Sequence, residues 1–161
     1  MIPGKHAAAL QIILPRLAET DITWVLTGST SFALQGLPLT PNDIDLQTDQ
    51  AGACEIERCF QEFVTHPVQF SSTGTVRSHF GELSIHGVKV EIIGDIEKLL
   101  PDGTWSPPPD LRQHTCWVEW GTFQIPVLSL EYEADAYQKL GRVDRAAQLR
   151  EWAKTQPETG A

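Results

Sequence analysis

Asp43 and Asp45 stand two apart in "NDIDLQT", separated by one isoleucine. On a β-strand, side chains at i and i+2 leave the same face, so both carboxylates project together while Ile44 and Leu46 turn into a core. Carboxylates that close raise each other's pKa unless a cation neutralises them. A hard divalent ion with oxygen ligands, Mg²⁺ or Mn²⁺, is the simplest partner. Glu91 poses the same question inside the apolar run "VKVEIIG", where Val90 and Ile92 face away from it. It is a liability in a structural strand, and it makes sense as a third carboxylate beside Asp43 and Asp45.

A glycine-serine pair, Gly28-Ser29, follows the apolar run "ITWVLT" upstream of the aspartates. Gly28 lets the backbone approach a ligand. Ser29 opens a helix whose free N–H groups and dipole favour phosphate. Phosphate-binding N–H groups beside a metal-binding carboxylate set are the equipment of phosphoryl or nucleotidyl transfer.

The remaining pattern supplies the elements that must hold these residues. Residues 5–19 fit a helix containing Pro15, and 22–28 a short buried strand. Residues 29–36 suit a short helix with Ser29 as N-cap and Gly36 closing it. Residues 43–48 alternate as a strand. Asp49 then caps a helix through about Phe63, with Ile56, Cys59, Phe60 and Phe63 on one face. Residues 75–95 read as two strands joined at His86-Gly87, and the proline-rich 103–110 as a loop. Residues 114–128 form a second hairpin turning at Gly121, and from Ser129 the pattern is helical with a break at Gly141. The expectation is one α/β (α+β) domain over 1–161: a core over about 1–128 and C-terminal helices over about 129–156.

Composition narrows the function classes. Twelve Lys and Arg against 21 Asp and Glu give a net charge of −9 over 161 residues. Tracking a long nucleic-acid backbone needs many clustered cations, so duplex DNA and long RNA are excluded as partners. One basic cluster exists, Lys139, Arg142, Arg145, Arg150 and Lys154. No apolar run approaches the roughly 18 to 20 residues of a membrane span. Cys54, Cys59 and Cys116 are odd in number without CxxC spacing, which excludes a disulfide framework and points to the cytoplasm. The histidines at 66, 79, 86 and 114 lack metal-ligand spacing.

"LTGSTSFALQGLPLTPNDIDL" resembles the signature of the nucleotidyltransferase superfamily related to DNA polymerase β, and in particular its small bacterial branch of minimal, antibiotic and abortive-infection-type enzymes. "VKVEIIGD" matches the strand of the third carboxylate, with Glu91 where Asp is commoner. "AYQKLGRVDRAAQL" resembles the branch's Tyr-x-Lys-Leu tail, with Lys139 and Arg142 in register. The Lys-Asp that usually follows is replaced by Val143-Asp144 or Asp144-Arg145, depending on alignment.

The resemblance implies a mixed twisted sheet flanked by helices with a helical C-terminal tail. It also implies Mg²⁺- or Mn²⁺-dependent transfer of a nucleoside monophosphate from an NTP to an acceptor hydroxyl. Asp43, Asp45 and Glu91 would be the catalytic metal ligands. Gly28, Ser29, Lys139 and Arg142 would hold the nucleotide. The acceptor would be a small molecule, a partner protein or a tRNA end. The competing reading is an antitoxin-like or regulatory nucleotide-binding module with a toxin partner and no robust turnover.

Overall fold

The computed structural model describes residues 2–155. Helix α1 (Gly4–Ala18) runs through Pro15 and buries Ala9, Leu10, Ile13, Leu14 and Leu17 along one side. Strand β1 (Trp24–Thr27) leads directly into the short helix α2 (Gly28–Leu34), and β2 (Ile44–Thr48) follows after a loop. Helix α3 (Gln50–Cys59) opens at Asp49, whose Oδ1 accepts the Gly52 N–H at 2.6 Å. That expected cap is present. The helix is shorter than the sequence implied, ending at Cys59 with a separate 3₁₀ turn over Gln61–Phe63. The turn keeps Phe60 and Phe63 against the core although the α-helix has ended.

Strands β3 (Val64–Ser72), β4 (Val76–Ile85) and β5 (Val88–Lys98) form a meander. The β4–β5 connection is the expected His86-Gly87 turn, with φ of 51° and 77°, the positive pair that a two-residue hairpin prefers. Strands β6 (Thr115–Trp120) and β7 (Phe123–Leu128) form the second expected hairpin. Helices α4 (Leu130–Lys139) and α5 (Val143–Thr155) complete the described chain, breaking at Gly141 (φ 80°) as expected. The expected helix end near 156 lies outside the described residues.

The seven strands of the described residues join one sheet in the order β3-β4-β5-β2-β1-β7-β6. The sheet is mixed: β2 runs antiparallel to β1 but parallel to β5, and β1 runs parallel to β7. The α/β architecture with a helical C-terminal tail therefore stands. Strand β3 is an addition to the sequence reading. It is an edge strand, mostly exposed and carrying Pro67, so it shows none of the alternation that marks a half-buried strand.

The main core forms where α1 and α3 cover one face of the sheet. Leu26, Ile44, Leu46, Val90 and Ile92 cluster there with Leu10, Ile13, Ile56 and Phe60. A second cluster joins Phe32 and Leu37 to Leu130, Ala134, Ala146 and Leu149, fixing α4 and α5 against α2. Among the described residues no helix is long and apolar enough to cross a membrane.

Candidate active site

The parallel pairing of β2 with β5 sets Asp45 directly opposite Glu91, and the antiparallel pairing of β1 sets Thr27 opposite Asp45. Asp43, Asp45 and Glu91 each turn a carboxylate oxygen into one space, where these atoms lie within 4.8 Å of one another. The backbone at Asp43 is held from two helices. Thr30 Oγ1 on α2 donates to the Asp43 carbonyl at 2.7 Å, and the buried His6 on α1 bonds the Asn42 carbonyl at 2.6 Å.

The electrostatics are those of a site short of positive charge. Burial, then the charges of Glu91 and Asp43, pushes the Asp45 carboxyl up to about 8. Burial, then Asp43, raises Glu91 too. Asp45 Oδ1 is buried with no hydrogen-bond partner. Among the described residues Lys89 is the cation near the trio, its Nζ 3.8 Å from Asp43 Oδ2 and 3.7 Å from Glu91 Oε1. It is exposed, and its own pKa is raised by Asp43 and then Glu91. An exposed ammonium at that range offsets little of a buried repulsion. Hard oxygen donors, an unpartnered buried oxygen and unrelieved like charge fit a divalent ion such as Mg²⁺ or Mn²⁺.

Gly28 has φ of 74°, and a Cβ there would lie 2.5 Å from Asp45 Oδ2. Its glycine identity is therefore a packing demand of the carboxylate itself. Ser29 is not the N-cap that the sequence predicted. Helix α2 begins one residue earlier, after Thr27, and Ser29 Oγ accepts the Asn42 N–H at 2.8 Å. Ser29 therefore lies inside the first turn, and its hydroxyl serves the loop that delivers Asp43. Lys139 is exposed at the end of α4, and Arg142 follows Gly141 with its guanidinium 4.8 Å from the Tyr137 ring centre. Gly28 thus adjoins the carboxylates directly; α4 packs over the same sheet face, but neither Lys139 at its end nor Arg142 beyond it lines the cavity beside Asp45.

Two charged residues escaped the sequence reading. Glu133 on α4 is 4% exposed; its Oε1 accepts the Thr27 hydroxyl and, at 3.3 Å, the Gly28 N–H, while Oε2 has no partner. Burial pushes its carboxyl up to about 8. Its signal was available: Leu130, Ala134 and Tyr137 mark the apolar stripe of α4, and Glu133 falls within it. Lys98 is 8% exposed, with its pKa lowered by burial and then by Lys139. Simple alternation could not have found it. The pairing of β4 with β5 slips between Arg77–Glu97 and His79–Gly94, and Asp95 takes φ of 49°. This bulge changes the parity of β5, so Ile96 and Lys98 follow Ile93 in lining one cavity. The cavity, about 180 Å³, lies between α4 and the sheet and also touches Gly28, Asp45 and Glu133.

A family model for aminoglycoside-2''-adenylyltransferases matches residues 9–154. The chain belongs to that family. It is accordingly a member of the nucleotidyltransferase superfamily with the DNA polymerase β-like fold, related to antibiotic-resistance adenylyltransferases. A Thermotoga maritima protein provisionally assigned to the nucleotidyltransferases is 54% identical over 97% of each chain, with a TM-score of 0.85. The lincosamide antibiotic adenylyltransferase LnuA, solved with lincomycin, is 14% identical with a TM-score of 0.56, over 92% of this chain and 98% of its own. ANT(2'')-Ia, solved with adenylyl-2''-tobramycin, is 13% identical with a TM-score of 0.52, over 90% of this chain and 92% of its own. At these identities the last two speak for the fold. No curated protein matches.

Proposed function

We propose that this nucleotidyltransferase family member moves a nucleoside monophosphate from an NTP to a hydroxyl of a small-molecule acceptor, acting as one unit over its whole length. The observation that carries the reading is the convergence of Asp43, Asp45 and Glu91 within 4.8 Å, with Asp45 Oδ1 buried and unpartnered beside the Gly28 turn. Asp43 and Asp45 would hold Mg²⁺ or Mn²⁺, and Glu91 would complete the ligand set. Bound there, the ions supply charge neutralisation for the triphosphate and the leaving pyrophosphate.

The chain's own residues do the rest. Glu91 sits at the rim, beside Lys89, and takes the proton of the acceptor hydroxyl as its oxygen bonds to the α-phosphorus. The bond from that phosphorus to the bridging oxygen breaks, and pyrophosphate leaves with the electron pair. The first turn of α2 offers the Ser29 N–H to phosphate; the Gly28 N–H is already directed at Glu133, so Gly28 serves by letting the chain pass close. Lys139 and Arg142, on the tail above, neutralise the outer phosphates.

Charge supports a small acceptor. The net charge of −9, with one basic cluster in the tail, leaves no cationic track for a polymer. The match to the aminoglycoside-2''-adenylyltransferase family model supports the same class. The test incubates the pure protein with Mg²⁺, each α-labelled NTP and a panel of hydroxylated small molecules, then a cell extract. Label transferred to a small molecule by the parent and not by the Asp45→Asn variant is the expected result. Label on a tRNA end or a protein would replace the acceptor class, and no Asp45-dependent transfer to anything would overturn the reading.

A further inference from the structure

We propose that Glu133 is a positioning residue: from α4 it pins the Thr27–Gly28 turn against Asp45, and so sets the geometry of the carboxylate cluster. The inference rests on the metal-site reading above.

Asp45 shares a side-chain hydrogen bond with Glu91. Its Oδ1 has no partner, so what packs against the carboxyl also aims it. Against Oδ2 lies Gly28, so close that one added methyl carbon would fall 2.5 Å from that oxygen. The position of Asp45 therefore follows the position of the Gly28 backbone. That backbone carries φ of 74° at the joint between β1 and α2, and its N–H donates to Glu133 Oε1 at 3.3 Å. The same oxygen accepts the hydroxyl of Thr27, the residue paired with Asp45 across the β1–β2 ladder. One buried oxygen thus ties both residues of the turn.

Glu133 is itself rigidly mounted. Ser129 caps α4 by accepting the Tyr132 N–H at 3.2 Å, and Leu130 and Ala134 on either side of Glu133 lie in the α2–α4–α5 core. A carboxyl on such an apolar stripe costs stability that an apolar side chain would not. The two bonds to the turn are the compensating use of it. Residues that orient metal ligands without touching the metal commonly change its affinity by about 10- to 100-fold.

Calorimetric titration with Mn²⁺ tests this on the full-length chain, comparing the parent with Glu133→Ala, Glu133→Gln and Thr27→Val, and with Asp45→Asn as control. Glu133→Ala is expected to weaken Mn²⁺ binding by about tenfold or more. Glu133→Gln, which keeps an acceptor oxygen for both donors, should stay within about twofold of the parent, and Thr27→Val, which removes one donor at constant volume, should lose about threefold. Thermal unfolding of the same samples separates a purely structural role, which lowers Tm and leaves the Mn²⁺ affinity of the folded protein unchanged. If Glu133→Ala does not fold, Thr27→Val decides. Parent-like affinity in folded Thr27→Val and Glu133→Ala overturns the inference, as does a loss in Glu133→Gln equal to that in Glu133→Ala. A parent that binds Mn²⁺ no better than Asp45→Asn overturns the metal reading beneath it, and the inference with it.

Discussion

Ile44 and Leu46 on one face of β2 are wholly buried in the core beneath α1 and α3, while Asp43 and Asp45, one residue out of step, converge with Glu91 on the other. The first face gains from every contact it makes. The second holds like charges together, leaves a buried oxygen unpartnered and raises the proton affinity of Asp45 and Glu91. The contrast shows how the strand tolerates its site: burial on the α1–α3 side holds the carboxylates at a separation they would not choose. A carboxylate set held in this way could take a divalent cation, which would relieve the repulsion.

The comparison breaks most visibly on the apolar face. Leu46→Ala should cost about 2 to 5 kcal/mol of stability, the range for emptying a buried leucine site. Urea denaturation would measure it, and protein that remains folded should keep its Mn²⁺ affinity. On the polar face the signs reverse. Asp45→Asn should lose about 100-fold or more in Mn²⁺ affinity while the apo protein becomes no less stable at pH 8, because a repelling charge has gone. A loss of apo stability there would show that the two faces do not divide the work.

The tail extends the contrast to the nucleotide. Lys139→Ala should weaken Mg²⁺–NTP binding by about 1.5 to 3 kcal/mol if its ammonium meets phosphate. An unchanged affinity by calorimetry would return Lys139 to the solvated surface.

The last expected effect is a slope, modest over any one pH unit. Asp45 in the folded chain titrates at about 8 against an ordinary 3.8, so between those values the folded state holds a proton that the unfolded state has released. Apo stability should therefore fall as pH rises through that window, with Glu133 adding in the same direction, and Asp45→Asn should flatten the fall. Mn²⁺ must displace the Asp45 proton, so its affinity should climb by about tenfold per pH unit below about pH 8. Thermal scans and calorimetry at a series of pH values check both signs.

The primary structure alone was enough for whatever depends on local periodicity. Ile44, Asp45 and Leu46 alternate within β2, with Asp43 just before it, so the division of the strand between site and core follows from the pleat. Glu91 stood out because a charge inside an apolar run has few uses. The Asp49 cap, the His86-Gly87 turn and the Gly141 break were legible because their chemistry is confined to a few neighbouring residues.

Tertiary structure decided everything that depends on distant chain meeting chain. The parallel pairing of β2 and β5 placed Glu91 opposite Asp45, across 46 positions of sequence, and no local pattern encodes register. A bulge at Asp95 reversed the parity of β5 and brought Lys98 to the site face. Ser29 lost its expected capping role because α2 starts at Gly28, and Gly28 is called for because a Cβ there would lie 2.5 Å from Asp45 Oδ2. Glu133 met the Thr27–Gly28 turn only because α4 folds back over the sheet. Side-chain types and short-range spacing are written along the chain, but contact is a property of the packed chain.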